Sequence, residues 1–118
     1  MQVWELIEVI EDLCNNGYGA WEINFCDDDD DCFTVNSIYY DDDGDVCLEA
    51  SDDEGLTNYT ADEILAELRE YDEYDDVYFC EDFDEYYCIY DIDDDWYIEK
   101  DDGGNDLLCI DCYEHGDD

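Results

Sequence analysis

The chain is 118 residues long, one domain on size alone, and carries 42 acidic against two basic side chains, for a formal net charge of −40. Hydrophobic residues make up 46% and aromatics 16%, so a core can form and the charge does not imply disorder. A surface of this sign repels nucleic acid and anionic membranes, attracts basic proteins and cations, and destabilises its own compact state by self-repulsion.

Residues 2–14 place Val3, Leu6, Ile7, Ile10 and Leu13 at the spacing of an amphipathic helix, with Asn15-Asn16-Gly17 to end it. Trp21, Ile23 and Phe25 alternate with polar neighbours, which predicts a half-buried strand from Trp21 to Cys26. Five aspartates follow, and Cys32 to Tyr40 reads as a second strand. Asp41-Asp42-Asp43-Gly44 predicts a hairpin turn and Asp45 to Ala50 a third strand; 51–59 is a polar linker. Thr60 with Glu63 forms a capping box for a second helix, whose apolar positions are Ile64, Leu65, Leu68 and Tyr71. Val77 to Cys80, Tyr86 to Ile92 continuing after a bend through Trp96 to Lys100, and Leu107 to Tyr113 are the remaining predicted strands. Asp101 to Asn105 is a turn, and 114–118 an acidic tail.

These elements repeat. Leu6, Ile7, Ile10 and Leu13 align with Ile64, Leu65, Leu68 and Tyr71; Ile23, Phe25 and Cys26 with Val77, Phe79 and Cys80; Cys47-Leu48-Glu49 with Cys109-Ile110-Asp111. The expected fold is therefore α+β, a single domain over 1–118 built from two tandem α-β-β-β repeats (about 1–50 and 60–113), with an antiparallel sheet and two helices.

Carboxylate runs sit between the predicted strands, at 27–31, 41–45, 81–85 and 93–95. Duplex DNA carries one charge per 1.7 Å of axis, so a charge of this size matches roughly 68 Å of duplex, about 20 base pairs. A globule of this length has a radius of gyration of about 13–14 Å, so it is at least as densely charged as DNA. Spaced carboxylates can imitate phosphates toward a basic protein. The candidate contact residues are Asp27, Asp28, Asp29, Asp30, Asp31, Asp41, Asp42, Asp43, Asp93, Asp94 and Asp95. Two other readings compete: an acidic chaperone or regulator of basic DNA-binding proteins, and a halophilic or cation-binding protein without a partner.

Other chemistry is poorly supported. Placing Gly44 or Gly103 at position 6 of a calcium loop puts Tyr39 or Ile98 at position 1, where an acid is required. Cys109 and Cys112 form one Cys-x-x-Cys, which with Cys80 and Cys88 offers four thiolates, but alternate strand positions face opposite ways; small buried hydrophobes are expected, with no zinc and no other cofactor. The single histidine, His115, lies in the tail, and no carboxylate pair stands out as an acid and a base, so catalysis is not expected. The N-terminus lacks a basic signal-peptide region and no apolar run reaches membrane-spanning length. Reduced thiols, a cytoplasmic location and a fold that survives reduction are the corresponding expectations.

In its acidic runs 27–31, 41–45, 52–54, 72–76, 81–85 and 93–95 and its overall charge, the chain resembles DNA-mimic proteins, many of them phage or mobile-element inhibitors of CRISPR or restriction systems. The resemblance is one of surface style. It implies a steric activity: occupation of the basic nucleic-acid channel of a target such as a CRISPR effector or restriction enzyme, in the host cytoplasm if phage-encoded. It implies no direct nucleic-acid or membrane binding, and is compatible with a homodimer.

Overall fold

A computed structural model describes residues 1–27, 32–51, 57–83 and 86–114. Two helices and seven strands follow one another as α1 (Val3–Leu13), β1 (Asn24–Cys26), β2 (Cys32–Thr34), β3 (Ser37–Tyr40), β4 (Val46–Ser51), α2 (Ala61–Leu68), β5 (Val77–Phe83), β6 (Tyr86–Lys100) and β7 (Asp106–Glu114), with a π-helical turn over Cys14–Tyr18. The mixed α+β class agrees with the sequence. In α1, Val3, Leu6, Val9, Ile10 and Leu13 form the buried stripe, the expected consequence of 3.6-residue periodicity. Thr60 caps α2 as its sequence requires: its hydroxyl accepts from the Glu63 N–H, and the Glu63 carboxylate accepts from the Thr60 N–H at 2.9 Å.

The sheet order is β2-β1-β7-β6-β5-β4-β3. It is mixed rather than antiparallel, because β1 runs parallel to β7 and β4 parallel to β5. The strands of residues 1–50 flank those of the second half on both sides, so they do not form a separate three-stranded unit beside it. The stretch expected as one strand from Cys32 to Tyr40 is two, β2 and β3, at opposite edges of the sheet. Between them Val35 and Asn36 are buried, and the Asn36 N–H already donates to the Glu49 carbonyl of β4 at 2.9 Å. The Val35 carbonyl accepts from Tyr59 N–H at 2.8 Å, and the Asn36 side-chain amide donates to the Ser51 carbonyl at 2.9 Å.

A two-residue connection between the outermost strands of a seven-stranded sheet is feasible only if the sheet curls, since consecutive Cα atoms are about 3.8 Å apart. Ring contacts show that curl. Phe25 of β1 stacks on Phe79 of β5 with centroids 4.9 Å apart, and Phe33 of β2 meets Phe83 of β5 at 5.0 Å. In a flat sheet β1 and β5 would lie three strand spacings, about 14 Å, apart. The concave face holds Ile23, Phe25, Leu48, Phe79, Ile92, Leu108 and Ile110, packed with Leu6, Ile10, Ile64 and Leu68 of the helices. The result is nearly isometric, 39 × 33 × 32 Å, with a radius of gyration of 13.5 Å.

Two acidic stretches expected in loops belong to strands. Glu81 and Asp82 are in β5, and Glu81 is fully buried on the concave face, accepting from the Tyr90 hydroxyl at 3.2 Å. Asp93, Asp94 and Asp95 form an irregularity inside β6, between the register pairs Ile92↔Cys112 and Trp96↔Ile110. Three residues there oppose one on β7, Asp111, a bulge that locally sharpens the bend of a long strand.

The thiol expectation is also corrected. Cys26 is paired with Cys32 and Cys47 with Cys80 as disulfides. The first joins directly opposed residues of β1 and β2; the second crosses between the neighbouring strands β4 and β5. Cys14, Cys88, Cys109 and Cys112 are free thiols. Cys109 and Cys112 lie on opposite faces of β7, both buried, so with Cys80 engaged the four-thiolate set does not assemble.

Candidate protein-interaction surface

Both helices lie on the concave side, and among the described residues no element packs against the convex side. Strand alternation therefore divides every strand into core-facing and outward-facing residues. Outward come Tyr39, Glu49, Tyr78, Asp82, Tyr87, Asp91, Tyr97, Glu99, Asp111 and Tyr113, by register with one another, with Cys47, Cys80, Ile89 and Cys109 set between them. This outer face is a grid of tyrosines and carboxylates.

Three of its tyrosines are tied to its acids. The Tyr39 hydroxyl donates to Glu49 Oε2, Tyr97 to Asp111 Oδ1 at 2.7 Å, and Tyr113 to Asp93 Oδ2 at 3.1 Å. Two of these arrangements share one register, although Cys47 is disulfide-bonded and Cys109 is a free thiol. Tyr39 stands opposite Cys47 and bonds the acid two positions further on, Glu49; Tyr97 stands opposite Cys109 and bonds the acid two positions further on, Asp111. Cys47 and Cys109 are both fully buried between their neighbours. Burial, followed by the bonded carboxylate, pushes both phenol pKa values well above the usual range, so both hydroxyls remain donors at any physiological pH.

The sequence-derived contact residues fall on three separate elements. Asp27, just beyond β1, is mostly buried, and Asp28, Asp29, Asp30 and Asp31 lie outside the described residues. Asp41, Asp42 and Asp43 occupy the β3–β4 hairpin at a sheet edge. There Asp41 Oδ1 accepts from the N–H groups of Asp43 and Asp45, each at 2.9 Å, so it holds the turn, while Asp42 and Asp43 are exposed. Gly44 supplies the left-handed conformation the turn needs, with φ 84°. Asp101 repeats this arrangement in the β6–β7 hairpin, accepting from Gly103 and Asn105 N–H groups at 2.9 Å. Those bonds hold its carboxyl below the usual range.

Asp93, Asp94 and Asp95 sit in the β6 bulge, where Asp93 accepts from the Asp94 N–H at 2.7 Å. Asp94 and Asp95, with Trp4, Glu8, Asp12 and Trp96, line an open groove of about 530 Å³ between α1 and β6. The Trp96 indole donates to Asp12 at 2.9 Å, which fixes that wall. Carboxylate oxygens gather within 4.8 Å of one another at Asp41/Asp43/Asp45 and at Asp93/Asp94/Asp95. Burial and then Asp41 raise the Asp45 carboxyl above its ordinary value; the bond to Asp93 and then the Asp95 charge do so for Asp94. Repulsion within the acid clusters is thus expressed in the folded state.

Both basic side chains are neutralised locally, Arg69 by Glu11 at 2.8 Å and Lys100 by Asp106 at 2.7 Å. Sequence reasoning missed the outer-face grid because it weighted the aspartate runs. The signal was present in the alternation Tyr39/Cys47/Glu49 and Tyr97/Cys109/Asp111, but which face it occupies depends on the helices' position. No protein family, characterised protein or solved structure matches this chain.

Proposed function

We propose that the protein is an acidic DNA mimic. It binds the basic nucleic-acid-binding surface of a target protein and blocks it sterically, without catalysis, as phage-encoded anti-CRISPR and anti-restriction inhibitors of similar surface style do. The observation that supports this is the convex, uncovered outer face, rich in carboxylates, on a molecule whose two cations are both paired within it. A convex acidic body complements a concave basic channel, the shape in which nucleic-acid-binding proteins receive a duplex. The exposed Asp42 and Asp43 extend the same field at the β3 edge, the Asp93 to Asp95 bulge carries it toward α1, and of the third proposed contact cluster, Asp27 to Asp31, the buried Asp27 contributes least. If phage-encoded, the protein acts in the host cytoplasm.

The finer fold proposal is an internal duplication whose strands interleave. It is supported by the matching Asp41 and Asp101 turns, by the two tyrosine–cysteine–acid arrangements, and by the parallel pairs Phe25↔Ile110 and Phe79↔Leu48. It places equivalent contacts on the two halves, so single neutralisations Glu49→Gln and Asp111→Asn are expected to weaken inhibition by similar factors.

The test captures targets from a host lysate on immobilised protein and competes each one with duplex DNA while salt is titrated. Mutual exclusion is expected, with affinity falling as salt rises, because exposed charges are screened over about 8–10 Å near physiological ionic strength. Neutralising one cluster at a time lowers affinity in steps, since exposed ion pairs are worth about 0–1 kcal/mol each. Simultaneous binding of DNA and this protein to the target, or an affinity indifferent to salt, overturns mimicry.

A further inference from the structure

We infer that the convex outer face docks an arginine-rich segment of the partner, with the Tyr39/Glu49 and Tyr97/Asp111 pairs as its two principal arginine seats. This deepens the proposed function and rests on it for the partner's identity, but not for the chemistry of the face.

The argument begins with the unusual economy of each pair. A tyrosine hydroxyl has one donor, and here it is spent on the carboxylate. A carboxylate has about four acceptor sites, so each acid keeps lone pairs for an incoming donor while its position is fixed by the phenol. The half-buried ring stands next to that fixed acid. Few cations use both features. A guanidinium is planar, donates in a fork to a carboxylate and stacks on an aromatic face; an ammonium is a compact, strongly hydrated point charge that gains little from the ring. Ring plus anchored acid is therefore a seat for arginine in preference to lysine.

The seat occurs twice, on strand pairs β3/β4 and β6/β7, with the same register. Between them the face carries Tyr78, whose phenol pKa is raised by burial and then by Asp76, Asp45, Asp91 and Asp41, and Tyr87, half exposed. The field across the whole span is negative, and neither cation of the chain lies on it: Arg69 follows α2, and the Lys100 side chain is held by Asp106 at the end of the sheet. Charge complementarity thus selects a basic occupant, and the ring–acid pairing selects arginine among basic residues.

The probes are nona-arginine and nona-lysine peptides, titrated into the intact protein by calorimetry at about 0.15 M salt, where long-range attraction is screened beyond about 8 Å. Wild-type protein is expected to bind nona-arginine about tenfold more tightly than nona-lysine. The variant E49Q/D111N keeps the shape and an acceptor for each tyrosine; it should lose about tenfold in nona-arginine affinity and most of the arginine preference. The variant D42N/D43N removes the same charge from the exposed hairpin and should lose no more than about threefold. Equal losses in the two variants, or equal affinity for the two peptides, overturn the docking face and leave only diffuse attraction. DNA exclusion at the target is a separate readout. If it fails while the peptide results hold, mimicry is wrong and the arginine seats stand; if it holds while the peptide results fail, the reverse is true.

Discussion

Single residues in this chain act mainly by satisfying backbone groups that the charge would otherwise leave exposed. Asp41 and Asp101 close their hairpins by accepting two N–H groups each. Thr60 and Glu63 do the same at the start of α2. Removing the cap orphans an N–H at the head of a helix only eight residues long. Thr60→Ala is expected to cost about 1 kcal/mol, read as a lower urea midpoint at unchanged slope. An unchanged midpoint would mean that tertiary packing alone holds α2.

Among the elements, β6 sets the architecture. Its fifteen residues pair with β5 over Tyr86–Tyr90 and with β7 from Tyr90 to Lys100, and the Asp93–Asp95 bulge shifts the register within the β7 pairing. The Cys47–Cys80 disulfide ties β4 to β5, across the boundary where the first half of the chain meets the second. It closes a loop of sequence separation 33, against 6 for Cys26–Cys32. Loop-closure entropy predicts a contribution of about 3–4 kcal/mol for the longer loop and about 2 for the shorter. The Cys47→Ser/Cys80→Ser pair should therefore destabilise the protein more than Cys26→Ser/Cys32→Ser, as measured by chemical denaturation under oxidising conditions. The opposite ranking would show that the disulfides act on the folded state and not through chain entropy.

On the scale of the molecule, a charge of −40 acts against a core of ordinary composition. Screening should raise stability, so the thermal midpoint is expected to climb as sodium chloride is added from low concentration. Acidification works in the same direction. The Asp45 carboxyl has its folded-state pKa raised above its ordinary 3.8 by burial and by Asp41. Such a group binds its proton in the native state before the unfolded state does, so stability rises as pH falls from neutral toward that raised pKa. Asp101, with a lowered pKa, contributes with the opposite sign; relief of self-repulsion across a chain of net charge −40 is expected to outweigh it. Denaturation midpoints at pH 7 and pH 5 in equal salt check this. A lower midpoint at pH 5 would show that anchored acids such as Asp101 dominate over repulsion.

The sequence by itself determined what is local. The period of Val3, Leu6, Ile10 and Leu13 fixed α1, the Thr60–Glu63 box fixed the start of α2, and glycine-bearing acidic turns fixed two hairpins. Each depends on groups a few residues apart, so propensity and hydrogen bonding decide them before any tertiary contact forms. Sheet order, the split of 32–40 into two edge strands, the burial of Glu81 and the outward placement of the tyrosine–acid pairs were decided only by tertiary structure. Alternation says that residues on a strand face two ways, but not which way is covered. That choice is made when Phe25 meets Phe79 across the curl and the helices close over the concave side.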